Sequence, residues 1–170
     1  NSKYLNNLKD RRISINDSID NEIKPHIKVL EKHNFITRGE KFSEYDLTEM
    51  GKMASNINEI HCLAIADLLF NDNIFESLSA IELSSVLSVF CDIRLSEENS
   101  IHSIDYVNTN NNVRNCIKKI KKKFDKYYDQ ETYYETNFMF NYDIQYNLIE
   151  IVYNWANSDN EEICHKVIKE

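Results

Sequence analysis

The segment AIADLLFNDNIFESLSAIELSSVLSVF, residues 64–90, decides the fold of this chain. Its first part is apolar on nearly every side, with Asp67 as the main exception, which predicts a buried helix. Ser79 and Glu82 have the spacing of a capping box, in which each side chain bonds a backbone N–H of the first helical turn. We therefore predict a second helix, from about Ala80 to Leu95, with an apolar face formed by Leu83, Val86, Leu87 and Phe90.

Two further amphipathic patterns lie farther along the chain. VRNCIKKIKKKFDKYY, residues 113–128, places its apolar side chains in one narrow stripe, formed by Val113, Ile117, Ile120, Phe124 and Tyr127. NLIEIVYNWANSDNEEICHK, residues 147–166, predicts a helix whose buried stripe is Ile144, Leu148, Ile151, Val152 and Trp155. Ser158 and Glu161 form a second capping box, so a final helix should start there and continue through Ile163 and Val167. We predict an aromatic-rich loop at residues 129–141.

Upstream of the deciding segment, a helix leads into a short hairpin. Residues 1–18 are polar, and we predict no regular structure for them. A helix should cover about residues 20–33, because Pro25 is tolerated only near the first turn. FITRGEKF and YDL predict two short strands around a turn at Gly39.

The hairpin should be followed at once by another helix. Thr48 is a good N-cap for it, and the inner side carries Met50, Met53 and Ile57. Gly51 falls in the first turn, where the missing side chain permits close packing. A helix, a two-stranded wing and such an exit helix are typical of the end of a winged-helix module.

These elements predict a mainly α-helical protein, in which a helical bundle follows the end of a winged-helix module with a small β-wing. We expect three parts: a linker at residues 1–24, the winged-helix tail at 25–58 and the bundle at 59–170. Only two glycines and one proline occur, which favours long helices joined by short polar links.

Composition excludes several classes of function. The formal net charge is −8, so any nucleic-acid binding needs a local basic patch. We find no glycine-rich phosphate loop, GxSxG or HExxH motif, and we predict no catalytic site in this chain. No CxxC pair and no apolar run long enough to span a bilayer occur. We predict no metal site, and reduced, buried thiols at Cys62, Cys91, Cys116 and Cys164.

The segment around residues 113–128 is the one strongly basic stretch. Its lysines could contact nucleic-acid phosphates, or they could form an ordinary solvated face. Its neighbouring tyrosines, Tyr127, Tyr128, Tyr133 and Tyr134, could stack on bases, although core packing and a half-buried surface explain them better. A winged helix that binds DNA needs more basic side chains than this one offers, namely Lys24, Lys28, Lys32, Arg38 and Lys41.

Several blocks together resemble one known family. HIKVLEKHNFI, LTEMGKMASNI and residues 64–90 are similar, in this order, to the C-terminal region of superkiller-type DExH-box RNA helicases, often called the DSHCT domain. The family's wing-exit helix matches at Leu47, Gly51 and Ala54. Its later "VVY-x-WA" helix and "EIC" motif match at Val152, Tyr153, Trp155, Ala156, Glu162, Ile163 and Cys164. The blocks cover about residues 24–90 and 137–166.

The resemblance implies a function for the whole polypeptide. The parent protein would be an ATP-dependent 3′-to-5′ RNA helicase that feeds RNA to the exosome, with ATP and Mg²⁺ held by motor domains outside this chain. We expect this chain to be a fragment of that protein, with residues 1–24 returning from the family's inserted arch and with no cofactor of its own. Its partners would be single-stranded RNA, the motor domains of the same polypeptide and, in addition, exosome or adaptor proteins. The expected location is intracellular, in the nucleus or cytoplasm.

The family also implies where RNA would pass. One bundle helix acts as a ratchet against the bases, and residues 79–95 are the candidate here. Its C-terminal end would present Asp92 and Arg94 to RNA, and the basic helix would add Lys118, Lys119 and Lys122. The alternatives are a free winged-helix protein that binds DNA and a module that binds other proteins without contacting nucleic acid.

Overall fold

The computed structural model describes residues 2–39, 44–93, 96, 98, 100–136, 138, 140–162, 164 and 165. Its elements are helix α1 (Ser2–Lys32), strands β1 (Ile36–Arg38) and β2 (Tyr45–Leu47), and helices α2 (Glu49–Ala54), α3 (Cys62–Asp72), α4 (Ala80–Leu87), α5 (Asn111–Tyr134) and α6 (Ile149–Ala156). Short 3-10 turns cover Ser88–Phe90 and Ile104–Tyr106. The described chain is therefore mainly helical with a two-stranded sheet, which confirms the predicted fold class.

Helix α5 forms the centre of the core. It packs against α1, α3 and α4, and all members of its predicted apolar stripe are buried. Helix α3 packs beside it and buries residues 63–68, as its apolar sequence predicts. Helix α5 runs farther than expected, to Tyr134, so the loop prediction is wrong for residues 129–134. There Glu135, with a φ of 53°, ends the helix in the left-handed conformation.

The N-terminal segment differs most from its prediction. Residues predicted to be irregular form the first part of α1, and Pro25 lies inside this helix instead of in its first turn. A helix satisfies its own backbone hydrogen bonds whatever its side chains are, and residues 2–24 contain no glycine or proline to stop it. The part of α1 beyond the bundle leaves Ile15, Ile19 and Ile23 exposed.

The hairpin and α2 follow the prediction closely. Strands β1 and β2 pair antiparallel, with Ile36 opposite Leu47. Thr48 caps α2 by accepting the Gly51 N–H at 3.0 Å. A Cβ on Gly51 would lie 2.0 Å from the carbonyl oxygen of Phe35, so only glycine allows the helix to approach the strand this closely.

Helix α4 has the predicted capping box, but it buries a different face. The Glu82 carboxylate accepts the Ser79 N–H at 2.8 Å, and the Ser79 hydroxyl accepts the Glu82 N–H at 3.3 Å. The regular helix stops at Leu87 and a 3-10 turn ends at Phe90, before the predicted end. The buried side chains are Glu82, Ser85, Val86, Ser88 and Val89, whereas Leu87 is exposed.

Polar side chains explain why α4 buries a different face from the one predicted. Glu82 accepts hydrogen bonds from the amides of Asn110 and Asn112, at 2.7 and 2.9 Å. Ser85 donates its hydroxyl hydrogen to the carbonyl of Ile149 at 2.8 Å. These hydrogen bonds hold Glu82 and Ser85 at buried positions, so that Leu83 is only half-buried and Leu87 is exposed.

Helix α6 is also turned relative to the prediction. Ile149 is fully buried, while Ile151 and Trp155, both predicted to be buried, are exposed. The hydroxyl of Tyr153 accepts a hydrogen bond from Asn110 and so faces α5 and α4. After α6, residues 161, 162, 164 and 165 are helical, whereas Ile163 and Val167 lie outside the described residues.

Candidate nucleic-acid interface

The lysines of α5 fall into two groups that the sequence does not distinguish. The first group is neutralised by carboxylates. Lys118 lies 2.7 Å from Asp105, and Lys121 forms an ion pair with Asp125. Both ion pairs lie at the surface, where solvent screens them, and the RNA contact predicted at Lys118 stays a prediction.

Lys123 is neutralised more completely. Its ammonium lies 3.1 Å from Asp67 on α3 and 3.0 Å from Asp72 at the end of the same helix, and its side chain is mostly buried. The Tyr127 hydroxyl donates to the second oxygen of Asp67 at 3.1 Å, and Asn71 donates to the first at 2.7 Å. This cluster joins α3 to α5 and holds the lysine-rich face in place.

The pKa values in this cluster agree with its ionisation. Burial by itself would raise the pKa of Asp67, but hydrogen bonds from Asn71, Lys123 and Tyr127 outweigh burial and hold that pKa below its ordinary value. Burial and the Asp67 carboxylate both raise the pKa of Tyr127. Asp67 is therefore a carboxylate and Tyr127 a neutral donor at physiological pH.

The second group of lysines has no acidic partner among the described residues. Lys119, Lys122 and Lys126 are exposed and, with Lys123, Leu68 and Asp72, line a cleft of about 440 Å³. They lie at i, i+3 and i+7, a spacing that places them on one face of α5. Lys119 and Lys122 were predicted as site residues, whereas Lys126 was not, although the same spacing rule identifies it.

A family comparison covers this whole region. The model of the DSHCT (NUC185) domain matches residues 44–167, more than half of the chain. This chain belongs to the DSHCT family. The domain is the C-terminal domain of Ski2-like helicases, so the predicted resemblance is confirmed. The match includes α5, which lies between the blocks that carried the resemblance. A search of curated proteins found no match.

The RNA contacts predicted at the C-terminal end of the ratchet candidate, residues 79–95, stay predictions. Asp92 is exposed beyond the 3-10 turn, and Arg94 lies outside the described residues. No lysine or arginine occurs between Ala80 and Ile93. Within the described ranges, α4 therefore carries no basic side chain, whereas α5 carries several.

Two of the five basic residues around the hairpin make side-chain hydrogen bonds. Arg38 donates to Glu31 at 3.0 Å, and Lys32 donates to Gln130 of α5 at 2.6 Å. Lys24 and Lys28 lie on α1, and Lys41 lies outside the described residues. Arg38 is paired with a carboxylate, whereas Lys24 and Lys28 are exposed, so the alternative of a free winged-helix protein that binds DNA stays open.

Among the described residues, cysteine and histidine side chains form no metal site. No group of three His, Cys, Asp or Glu side chains there could hold an ion. The four cysteines are free thiols, but only Cys116 is fully buried, so the prediction of buried thiols is wrong for the exposed Cys91. None of the described helices is both long and apolar enough to cross a membrane.

Proposed function

We propose that this DSHCT domain is the RNA-guiding C-terminal module of an ATP-dependent 3′-to-5′ RNA helicase that acts in exosome-linked RNA processing or decay. The family match supports the helicase context. The observation that carries the RNA-guiding role is the cleft on α5 with its three unneutralised lysines, Lys119, Lys122 and Lys126. ATP and Mg²⁺ would be bound by motor domains of the same polypeptide, which supply the energy for translocation.

The cleft can bind the phosphates of a nucleic-acid strand, but its lysines do not distinguish one base sequence from another. Exposed ammonium groups act as point charges and bind phosphates without distinguishing the bases. Because Lys119 and Lys126 are separated by about 10.5 Å along the helix axis, the lysines can follow successive phosphates of one strand. A guiding surface needs this kind of contact, since a translocating strand must pass whatever its sequence is.

The test compares two variants that remove the same charge. Fluorescence anisotropy of a labelled oligouridylate, measured between about 50 and 200 mM salt, gives the dependence of log K on log salt. Three phosphate contacts predict a slope of about −2, since each contributes about −0.7 for a single strand. Replacing Lys119 and Lys126 by alanine should reduce the slope to about −0.7.

The matched control replaces Lys118 and Lys121 by alanine, because these lysines already have acidic partners. It should leave the slope close to that of the unchanged chain. Equal losses for the two double variants would contradict the assignment of the cleft. Tighter binding to duplex DNA than to oligouridylate, lost on changing Lys28 and Lys32, would favour the free winged-helix alternative instead.

A further inference from the structure

The line of free lysines on α5 ends at an exposed aromatic side chain. Tyr133 lies seven residues after Lys126 and fourteen after Lys119, so all three share one face of the helix. The exposed fraction of Tyr133 is 76%, among the highest of the large apolar side chains. Tyr127, by contrast, is buried, so the tyrosines of this segment do not share one role.

The surroundings of Tyr133 hold it in position. Its ring makes an edge-to-face contact with Tyr134, with 4.9 Å between the ring centroids. The ammonium of Lys32 lies 5.3 Å from the centre of the Tyr134 ring, and the same lysine donates to Gln130. Helix α1 therefore fixes the last turn of α5, and Tyr133 projects from a supported position.

The charge around Tyr133 favours a base over a phosphate. Asp129 lies one turn earlier on an adjoining part of the helix surface and is exposed, and Glu135 follows two residues later. These carboxylates repel a phosphate but not a neutral base. An exposed aromatic ring can stack on a base of any identity, because every base has a π face.

We propose that Tyr133 is a base-stacking platform at the end of the lysine line, so that this face of α5 selects single-stranded nucleic acid over other polyanions. The strand would place its phosphates on Lys119, Lys122 and Lys126 and an unpaired base on Tyr133. Duplexes would bind more weakly, since their bases are already stacked on one another. This inference rests on the proposed RNA-guiding role of the same cleft.

The test separates stacking from charge. Fluorescence anisotropy would measure binding of labelled oligouridylate, and competition against it would measure binding of inorganic polyphosphate, which has no bases. Tyr133→Ala should weaken oligouridylate binding about tenfold and leave polyphosphate binding unchanged. Tyr133→Phe keeps the ring and should restore oligouridylate binding. Tyr106→Ala is the matched control, because Tyr106 is 81% exposed but lies on the separate 3-10 turn.

The outcomes distinguish the two proposals. Unchanged oligouridylate binding in Tyr133→Ala, or an equal loss for polyphosphate, would overturn stacking while leaving the lysine cleft intact. Oligouridylate binding that keeps its affinity and its salt dependence after replacement of Lys119 and Lys126 would overturn the proposed function itself. Displacement of oligouridylate by polyglutamate as readily as by polyphosphate would indicate an acidic-protein site and overturn both.

Discussion

The replacement Gly51→Ala tests the close approach of α2 to the backbone of Phe35. An added Cβ would lie 2.0 Å from the carbonyl oxygen of Phe35, 3.0 Å from its carbonyl carbon and 3.2 Å from Leu47 Cδ2. The Phe35 carbonyl cannot easily move, because it accepts hydrogen bonds from the Thr48 N–H at 3.0 Å and the Thr48 hydroxyl at 3.1 Å.

The expected loss follows from three terms. Overpacking costs about 1–3 kcal/mol, and a clash with backbone belongs at the upper end of that range. Weakening the two bonds to Phe35 costs about 1 kcal/mol more, whereas alanine regains about 1 kcal/mol of helix propensity. We therefore expect Gly51→Ala to lower the free energy of unfolding by about 3 kcal/mol.

Urea denaturation followed by far-ultraviolet circular dichroism measures this change, and Gly39→Ala is the control. A Cβ on Gly39 would meet the Asp46 and Glu44 side chains at 3.2 and 3.3 Å, and its φ is not positive. We expect that change to stay within about 0.5 kcal/mol. A Gly51→Ala variant as stable as the unchanged chain would refute the close approach of α2 to Phe35.

Three further predictions concern the core. Burial lowers the pKa of His61 to about 4 from its ordinary 6.5, so the unfolded chain takes up the proton first as the pH falls. Urea unfolding should therefore show a loss of about 3 kcal/mol in the free energy of unfolding between pH 6.5 and 4. The variant His61→Phe should make this free energy depend less on pH. Glu82→Ala removes the hydrogen bond to the Ser79 N–H and leaves the amides of Asn110 and Asn112 without their acceptor. Thermal unfolding should therefore show that the free energy of unfolding falls by about 2–3 kcal/mol. A fall below about 0.5 kcal/mol would count against this set of hydrogen bonds. Tyr127→Phe deletes the hydrogen bond to Asp67 and should cost about 1–2 kcal/mol in urea unfolding, whereas Tyr128→Phe, at an exposed ring, should be nearly neutral.

The sequence correctly predicted features that depend on residues close together along the chain. Thr48 and the Ser79–Glu82 pair cap their helices because capping depends only on residues within one turn. The apolar stripe of α5 was predicted correctly because one side of that helix faces the core along its whole length. Gly51 was identified as a close-packing position, although its partner, Phe35, follows only from the hairpin geometry.

The errors in the buried face of α4 and in the roles of the lysines come from partners that are distant along the chain. Ser85 takes a buried position because Ile149, far away in sequence, accepts its hydrogen bond. Lys118 and Lys119 are adjacent and equally basic in the sequence, yet only Lys118 has an acidic partner, Asp105. No periodicity of α5 predicts which lysines are neutralised, because the neutralising carboxylates lie partly on other elements. The sequence therefore predicted the helix that carries the candidate site and two of its lysines, but not which lysines form ion pairs.

The most direct measurement is photocrosslinking of a thiouridine-substituted single-stranded RNA to the intact protein, followed by mass spectrometry of the crosslinked peptides. We predict crosslinks on the face of α5 that carries Lys119, Lys122, Lys126 and Tyr133, and their loss when Lys119 and Lys126 are replaced by alanine. Crosslinks that avoid α5 and persist in that variant would contradict the account.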